Sequence, residues 1–108
     1  MKQQSMNPTP LKVILHAPTA SALERARNNA ANLRRAAPGA EVRIIANAQA
    51  VAAALDASPH DQDAVTWLCP ITLGRLDREC RTPLQLLDGP AVLEIALAQH
   101  HGWSYIRA

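Results

Sequence analysis

The chain predicts an α/β fold, a three-layer α/β/α sandwich around a mostly parallel sheet of about five strands. Three observations carry that expectation. Short β-branched runs alternate with helical stretches at the spacing of βαβ units. The apolar runs at 13–15 and 44–46 are unbroken, as in strands covered on both faces rather than on one. The composition holds 21 alanines and 24 Leu, Ile and Val residues but no Phe, with aromatics at 3%. Such a core is thin and aliphatic, and its alanines let helices approach the sheet closely.

The first strand is expected over residues 11–16, Leu-Lys-Val-Ile-Leu-His, stopped by Ala17-Pro18. A long helix follows: Leu23, Ala26, Ala30, Leu33 and Ala37 step by three and four, which aligns one apolar stripe. Thr19 or Ser21 caps its start and Pro38-Gly39 ends it. Arg25, Arg27, Arg34 and Arg35 lie off the stripe and are expected to face water. Asn28, Asn29 and Asn32 are poor helix formers, so their clustering points either to hydrogen bonding with a loop or another subunit or to a solvated face.

Residues 41–46 read as the second strand, with Asn47 capping an alanine-rich helix that reaches Asp56. Ser58-Pro59 breaks that helix, and His60 to Asp63 forms a polar loop. The third strand, 64–68, leads directly into Cys69-Pro70. A weaker helix is expected over 72–80 and a fourth strand over 84–87. Asp88-Gly89-Pro90 reads as the cap and first turn of a helix running to His101 and ending at Gly102. Residues 103–106 close the chain as a strand.

With 108 residues there is room for one domain, over residues 11–108, preceded by a loose leader at residues 1–10. The formal net charge of +2 has no basic cluster behind it, which argues against a nucleic-acid partner. No apolar run approaches a membrane span, and residues 11–15 are too short for a secretory core. Two cysteines without an export signal fit free thiols in a reducing compartment, so a cytoplasmic protein is expected. No glycine-rich phosphate loop and no Ser–His–Asp arrangement is found, and no cofactor is implied. His100 and His101 are adjacent, so their side chains are expected to diverge on a helix, and no metal-ligand spacing is present.

In an open parallel sheet, ligands bind outside the carboxyl ends of the strands. That rule singles out His16, Asn47 and Cys69, which end strands one to three. Cys69 has the strongest chemical claim. A sulfur at a helix start meets unpaired N–H groups and the positive end of the peptide dipoles, both of which favour thiolate. Pro70 suits the first helical position, where its missing N–H would go unpaired anyway. Thr72 adds a hydroxyl, and Arg75 lies a turn further on. The competing view of Cys69 is a small buried hydrophobe. His16 is either a proton carrier or simply hydrogen-bonded nearby, and Asn47 is most simply a helix cap. Cys80, eleven residues on, is not spaced as a redox partner.

Together these pieces resemble the DsrE/DsrF-like (YchN-like) family of small α/β proteins. The resemblance rests on the Lys-Val-Ile-Leu-His strand, the Asn-rich first helix ending Asn32-Leu33, and the strand from Val42 to Asn47. It continues with Cys69 followed by Thr72-Leu73, and closes with Gly102-Trp103-Ser104-Tyr105-Ile106-Arg107. It covers residues 11–108. It implies a subunit that forms homo-oligomers, often trimers or hexamers. In the best-understood relatives a cysteine matching Cys69 carries a persulfide and passes it to a partner protein, which implies a sulfur donor or acceptor protein as partner. This chain departs from the family in placing Pro70 and Ile71 after the cysteine, where small or polar residues are common. Two functions are therefore expected. One is sulfur relay through Cys69, with His16, Asn47, Pro70 and Thr72 around it. The other is a non-catalytic oligomeric module that binds a small ligand or protein partner at the same edge.

Overall fold

A computed structural model describes residues 10–108. All but the last residue of the expected leader lies outside that range. The elements are β1 (Lys12–Ala17), α1 (Ala20–Ala36), β2 (Glu41–Ala46), α2 (Gln49–Asp56), a 3-10 turn at Asp63–Val65, β3 (Thr66–Leu68), α3 (Pro70–Leu76), β4 (Gln85–Leu86), α4 (Ala91–His100) and β5 (Ser104–Arg107). The five strands form one sheet in the order β4-β3-β2-β1-β5, and every pairing is parallel.

That order determines where the helices lie. The chain walks from β1 to β4 in one direction and then returns past three strands to place β5 on the far side of β1. Right-handed crossovers therefore put α1 to α3 on one face and α4 on the other. The buried side chains follow the alternation of the strands. Val13, Leu15, Val42, Ile44 and Leu68 pack against α1 to α3 in the larger core. Ile14, Ile45 and Cys69 turn the other way and meet Ala91, Ile95 and Ala98 of α4. Ile14 and Ile44 are both fully buried, and burying each such side chain is worth about 1.5–3 kcal/mol. The two unbroken apolar runs are thus the central strands covered on both faces, as their composition predicts.

Several local expectations are corrected. Thr19 does cap α1, its Oγ1 accepting from the Ala22 N–H at 3.0 Å. Asn47 does not cap α2: the capping position falls to Ala48 at a φ of 50°, with no side-chain cap. The third strand is shorter than 64–68 because the chain leaves a 3-10 turn only at Thr66. α3 begins at Pro70 rather than 72 and stops at Leu76, where Asp77 turns left-handed at a φ of 53°. Asp88 caps nothing; Pro90 takes the capping position of α4. His100 and His101 do not diverge, because His101 has left the helix and the two rings meet edge to face at 5.4 Å.

The arginines of α1 are not all solvated. Arg27 bonds Asp63 at 3.2 Å, and Arg81 reaches the other carboxylate oxygen at 3.1 Å. Arg81 also donates to the carbonyls of Ala54 and Ala57. Arg34 bonds Gln62 at 2.9 Å. This cluster, centred on the buried Asp63 and Gln62, ties α1, the end of α2 and the segment after α3 to the loop entering β3. Of the three asparagines, Asn32 accepts from its neighbour Arg35.

Candidate functional site at the carboxyl edge of the sheet

The parallel sheet brings the ends of β1, β2 and β3 to one rim, and His16, Asn47 and Cys69 stand there in adjacent positions. Cys69 extends the β2–β3 ladder by one step, its N–H donating to the Ala46 carbonyl at 3.0 Å. It is then the capping residue of α3, with Pro70 as the first helical residue.

The sulfur is held by the starts of two helices. Burial pushes the Cys69 thiol up. The N–H groups of Thr72, Ala91 and Ile71, together with the Thr72 hydroxyl, pull it down further, so its pKa lies below the ordinary thiol value. The Ala91 N–H, the first of α4, donates to Sγ at 3.4 Å. Pro70 costs α3 one donor, and α4 supplies another from the opposite side. Thr72 is oriented for its part, because its Oγ1 accepts the Ala48 N–H at 3.1 Å. That leaves the hydroxyl proton free to point at sulfur. Cys80 shows the contrast. Burial pushes its thiol up against the opposing charge of Arg81, and its Sγ donates to the Leu84 carbonyl at 3.3 Å. Both cysteines are free thiols.

Cys69 is 5% exposed. It nevertheless lines a recess of about 220 Å³, whose walls include Asn47, Ile71, Thr72, Arg75 and Val92. Arg75 is exposed at that recess and takes part in none of the ion pairs among the described residues.

His16 is hydrogen-bonded, but to residues far away in the chain. Its Nε2 lies 2.9 Å from Asn47 Oδ1 and its Nδ1 lies 2.6 Å from the Tyr105 hydroxyl. An amide oxygen only accepts, so Nε2 carries the proton. In the neutral ring Nδ1 then accepts from the phenol. A continuous chain Tyr105–His16–Asn47 therefore runs across β5, β1 and the end of β2. It borders a second recess of about 310 Å³, completed by Val92, Ile95 and Gln99 of α4. The second recess lies at the β1/β5 boundary, where the strand order reverses and α/β sheets open a crevice. His16 and Cys69 are two strand spacings apart, roughly 10 Å. Asn47 lines both recesses between them.

All five residues singled out from the sequence thus lie at this rim. His16 bonds Asn47, Thr72 serves Cys69, and Pro70 sets the start of α3. Tyr105, Ala91 and Val92 also belong to the rim, with no local sequence signal to mark them. Tyr105 occupies the same sheet face as His16, but only the pairing of β5 with β1 shows that. Ala91 depends on where α4 crosses. Among the described residues no group of three or more His, Cys, Asp or Glu side chains is placed to hold a metal ion, and no helix is long and apolar enough to cross a membrane. No family model and no curated protein matches the chain.

Proposed function

We propose that the protein is a sulfur-relay protein of the DsrE/DsrF-like kind, with Cys69 as the persulfide carrier. The observation that carries this reading is the position of Sγ. It lies where two helix starts converge, within hydrogen-bonding reach of the Ala91 N–H, and on the wall of a recess. The Cys69 thiolate attacks the outer sulfur of a donor R–S–SH. A bond forms between Sγ and that sulfur, the donor S–S bond breaks, and its electron pair leaves with R–S⁻. The product is Cys69–S–SH, with no net oxidation. An acceptor thiolate on a partner protein then attacks the outer sulfur and restores the Cys69 thiolate. N–H groups that stabilise the thiolate before the first step stabilise it again as the leaving group of the second.

Incubation with a persulfide donor followed by intact mass measurement tests the reading. One added sulfur is expected in the wild type and none in Cys69→Ser; an unmodified wild type overturns it. The low exposure of Cys69 favours a second reading, in which the rim binds a ligand or partner and Cys69 only walls it. A thiol midpoint at or above about 8.5 supports that alternative.

The same proposal includes a homo-oligomer, a trimer or hexamer, formed over α4. Seven of the ten α4 residues are apolar, yet only Ala91 is buried. Leu93 is 48% exposed and Leu97 43%. A helix that is apolar all round belongs in an interior, and a second subunit supplies one. Free thiols at Cys69 and Cys80 accord with a cytoplasmic location.

A further inference from the structure

We infer that the donor in this relay is a low-molecular-weight organic persulfide whose polar body occupies the recess at the β1/β5 boundary while its sulfane sulfur reaches Cys69. The inference rests on the relay reading and names its substrate class. The two recesses share Asn47 and Val92 as common walls. Each alone is at or below the lower end of small-molecule pockets, roughly 300–1,000 Å³; side by side they suit a ligand with two parts. Their linings divide accordingly. The Cys69 recess offers N–H donors and a thiol. The other recess offers two groups fixed in place by their bonds to His16, the Tyr105 oxygen, which still has lone pairs, and the Asn47 amide N–H groups, with the Gln99 side chain also on its wall. Val92 and Ile95 form the apolar side.

The span between the halves, about two strand spacings or roughly 10 Å, is the reach of a small peptide-like thiol. Exposure argues against a folded protein as donor. With Cys69 only 5% exposed, a sulfur fixed on a protein surface would have to pass Ile71 and Val92 to meet Sγ. Delivery to the acceptor is less demanding. The outer sulfur of Cys69–S–SH stands about 2 Å beyond Sγ, so an acceptor thiolate need not reach Sγ itself. The donor is therefore small, and a protein suffices as acceptor.

The chemical step is unchanged: Sγ bonds the sulfane sulfur and the small thiol leaves as thiolate. His16 takes no proton from Cys69 and acts as a positioning residue that holds Tyr105 and Asn47 in register.

The test uses the full-length protein and two donors, glutathione persulfide and inorganic polysulfide, which lacks an organic body. In Tyr105→Phe the ratio of kcat/KM for glutathione persulfide to that for polysulfide is expected to fall about 2- to 10-fold, the effect of one lost hydrogen bond. Most of the fall is expected in KM. A second measurement avoids the chemistry. In Cys69→Ser, reduced glutathione is expected to shift the amide resonances of Val92, Ile95, Gln99 and Tyr105. An unchanged donor ratio together with no shift overturns the inference and leaves the relay reading standing. Shifts at those residues without sulfur transfer from either donor overturn the relay reading while retaining the ligand site.

Discussion

Replacing Thr72 by Val isolates one of the groups that hold the Cys69 thiolate. The Thr72 hydroxyl accepts the Ala48 N–H and so directs its own proton to sulfur. Val keeps the shape and removes the donor. The Ala48 N–H is at an exposed contact, so water replaces its lost partner. A net hydrogen bond of about 0.5–1.5 kcal/mol corresponds to a roughly 2- to 10-fold smaller thiolate fraction below the midpoint. The alkylation rate at neutral pH falls less than that. A more basic thiolate is a better nucleophile, with a Brønsted slope of about 0.4–0.5, so the net loss is about 1.4- to 4-fold. The midpoint of the pH profile carries no such compensation and moves upward by the whole effect. The assay is therefore iodoacetamide labelling across pH, following Cys69 separately by peptide mass, with Cys80 as the internal contrast. The wild-type Cys69 midpoint is expected below about 8.5 and the Thr72→Val midpoint above the wild-type one. A variant midpoint at or below the wild-type value refutes the account of how this sulfur is held.

Three further outcomes follow from the same geometry. Because the Cys69 pKa is depressed in the folded state, the linked stability is fully present above the unfolded thiol value, about 8.5, and is lost as pH falls through the lower folded value. Denaturant titrations at pH 6 to 9.5 should show wild type gaining on Cys69→Ser as pH rises; a flat difference contradicts this. Asp63→Ala leaves Arg27 and Arg81 without their shared carboxylate. Breaking a buried pair costs about 3–5 kcal/mol, and the low end applies because the two cations are 11% and 28% exposed. At about 2.1 cal/mol/K per residue, 3 kcal/mol lowers Tm by roughly 13 °C, and a loss under a few degrees in calorimetry would show the cluster to be inessential. Leu97→Glu on α4 should reduce the mass seen by light scattering to that of one chain with unchanged circular dichroism. A wild type that is itself monomeric at micromolar concentration removes the case for subunit contact through α4.

The fold was legible because burial on both faces writes itself into composition. Residues 13–15 and 44–46 need no partner to be read as central strands, and Leu23, Ala26 and Ala30 show which side of α1 is buried. The rim was legible to the same depth, since a parallel sheet places its carboxyl ends together whatever the order of its strands. Pair-specific features were not. Asp63 reads as a loop residue, and only the packing of α1 on the sheet brings Arg27 to it. Asn47 has the composition of a cap, but His16 on the neighbouring strand competes for the same oxygen and wins. The edges of β3, β4 and α3 shift because turns at Asp63–Val65 and Asp77 follow from tertiary contacts, not from local propensity.

Strand order also explains how a cysteine followed by proline keeps a full set of donors. Had β5 joined the sheet beyond β4, the β4–β5 crossover would have lain on the face that already carries α1 to α3. Its first N–H could not then have faced Cys69, whose side chain points to the other side. Placing β5 next to β1 sends α4 across that other face. The Leu87 N–H, bonded to the Leu68 carbonyl at 3.1 Å, holds the end of β4 beside the end of β3. The turn at 88–90 therefore starts α4 immediately over the sulfur, and the Ala91 N–H stands in for the donor that Pro70 lacks. The same crossing lays Val92, Ile95 and Gln99 along the second recess. One topological choice thus sets both the state of the thiol and the shape of the space in front of it.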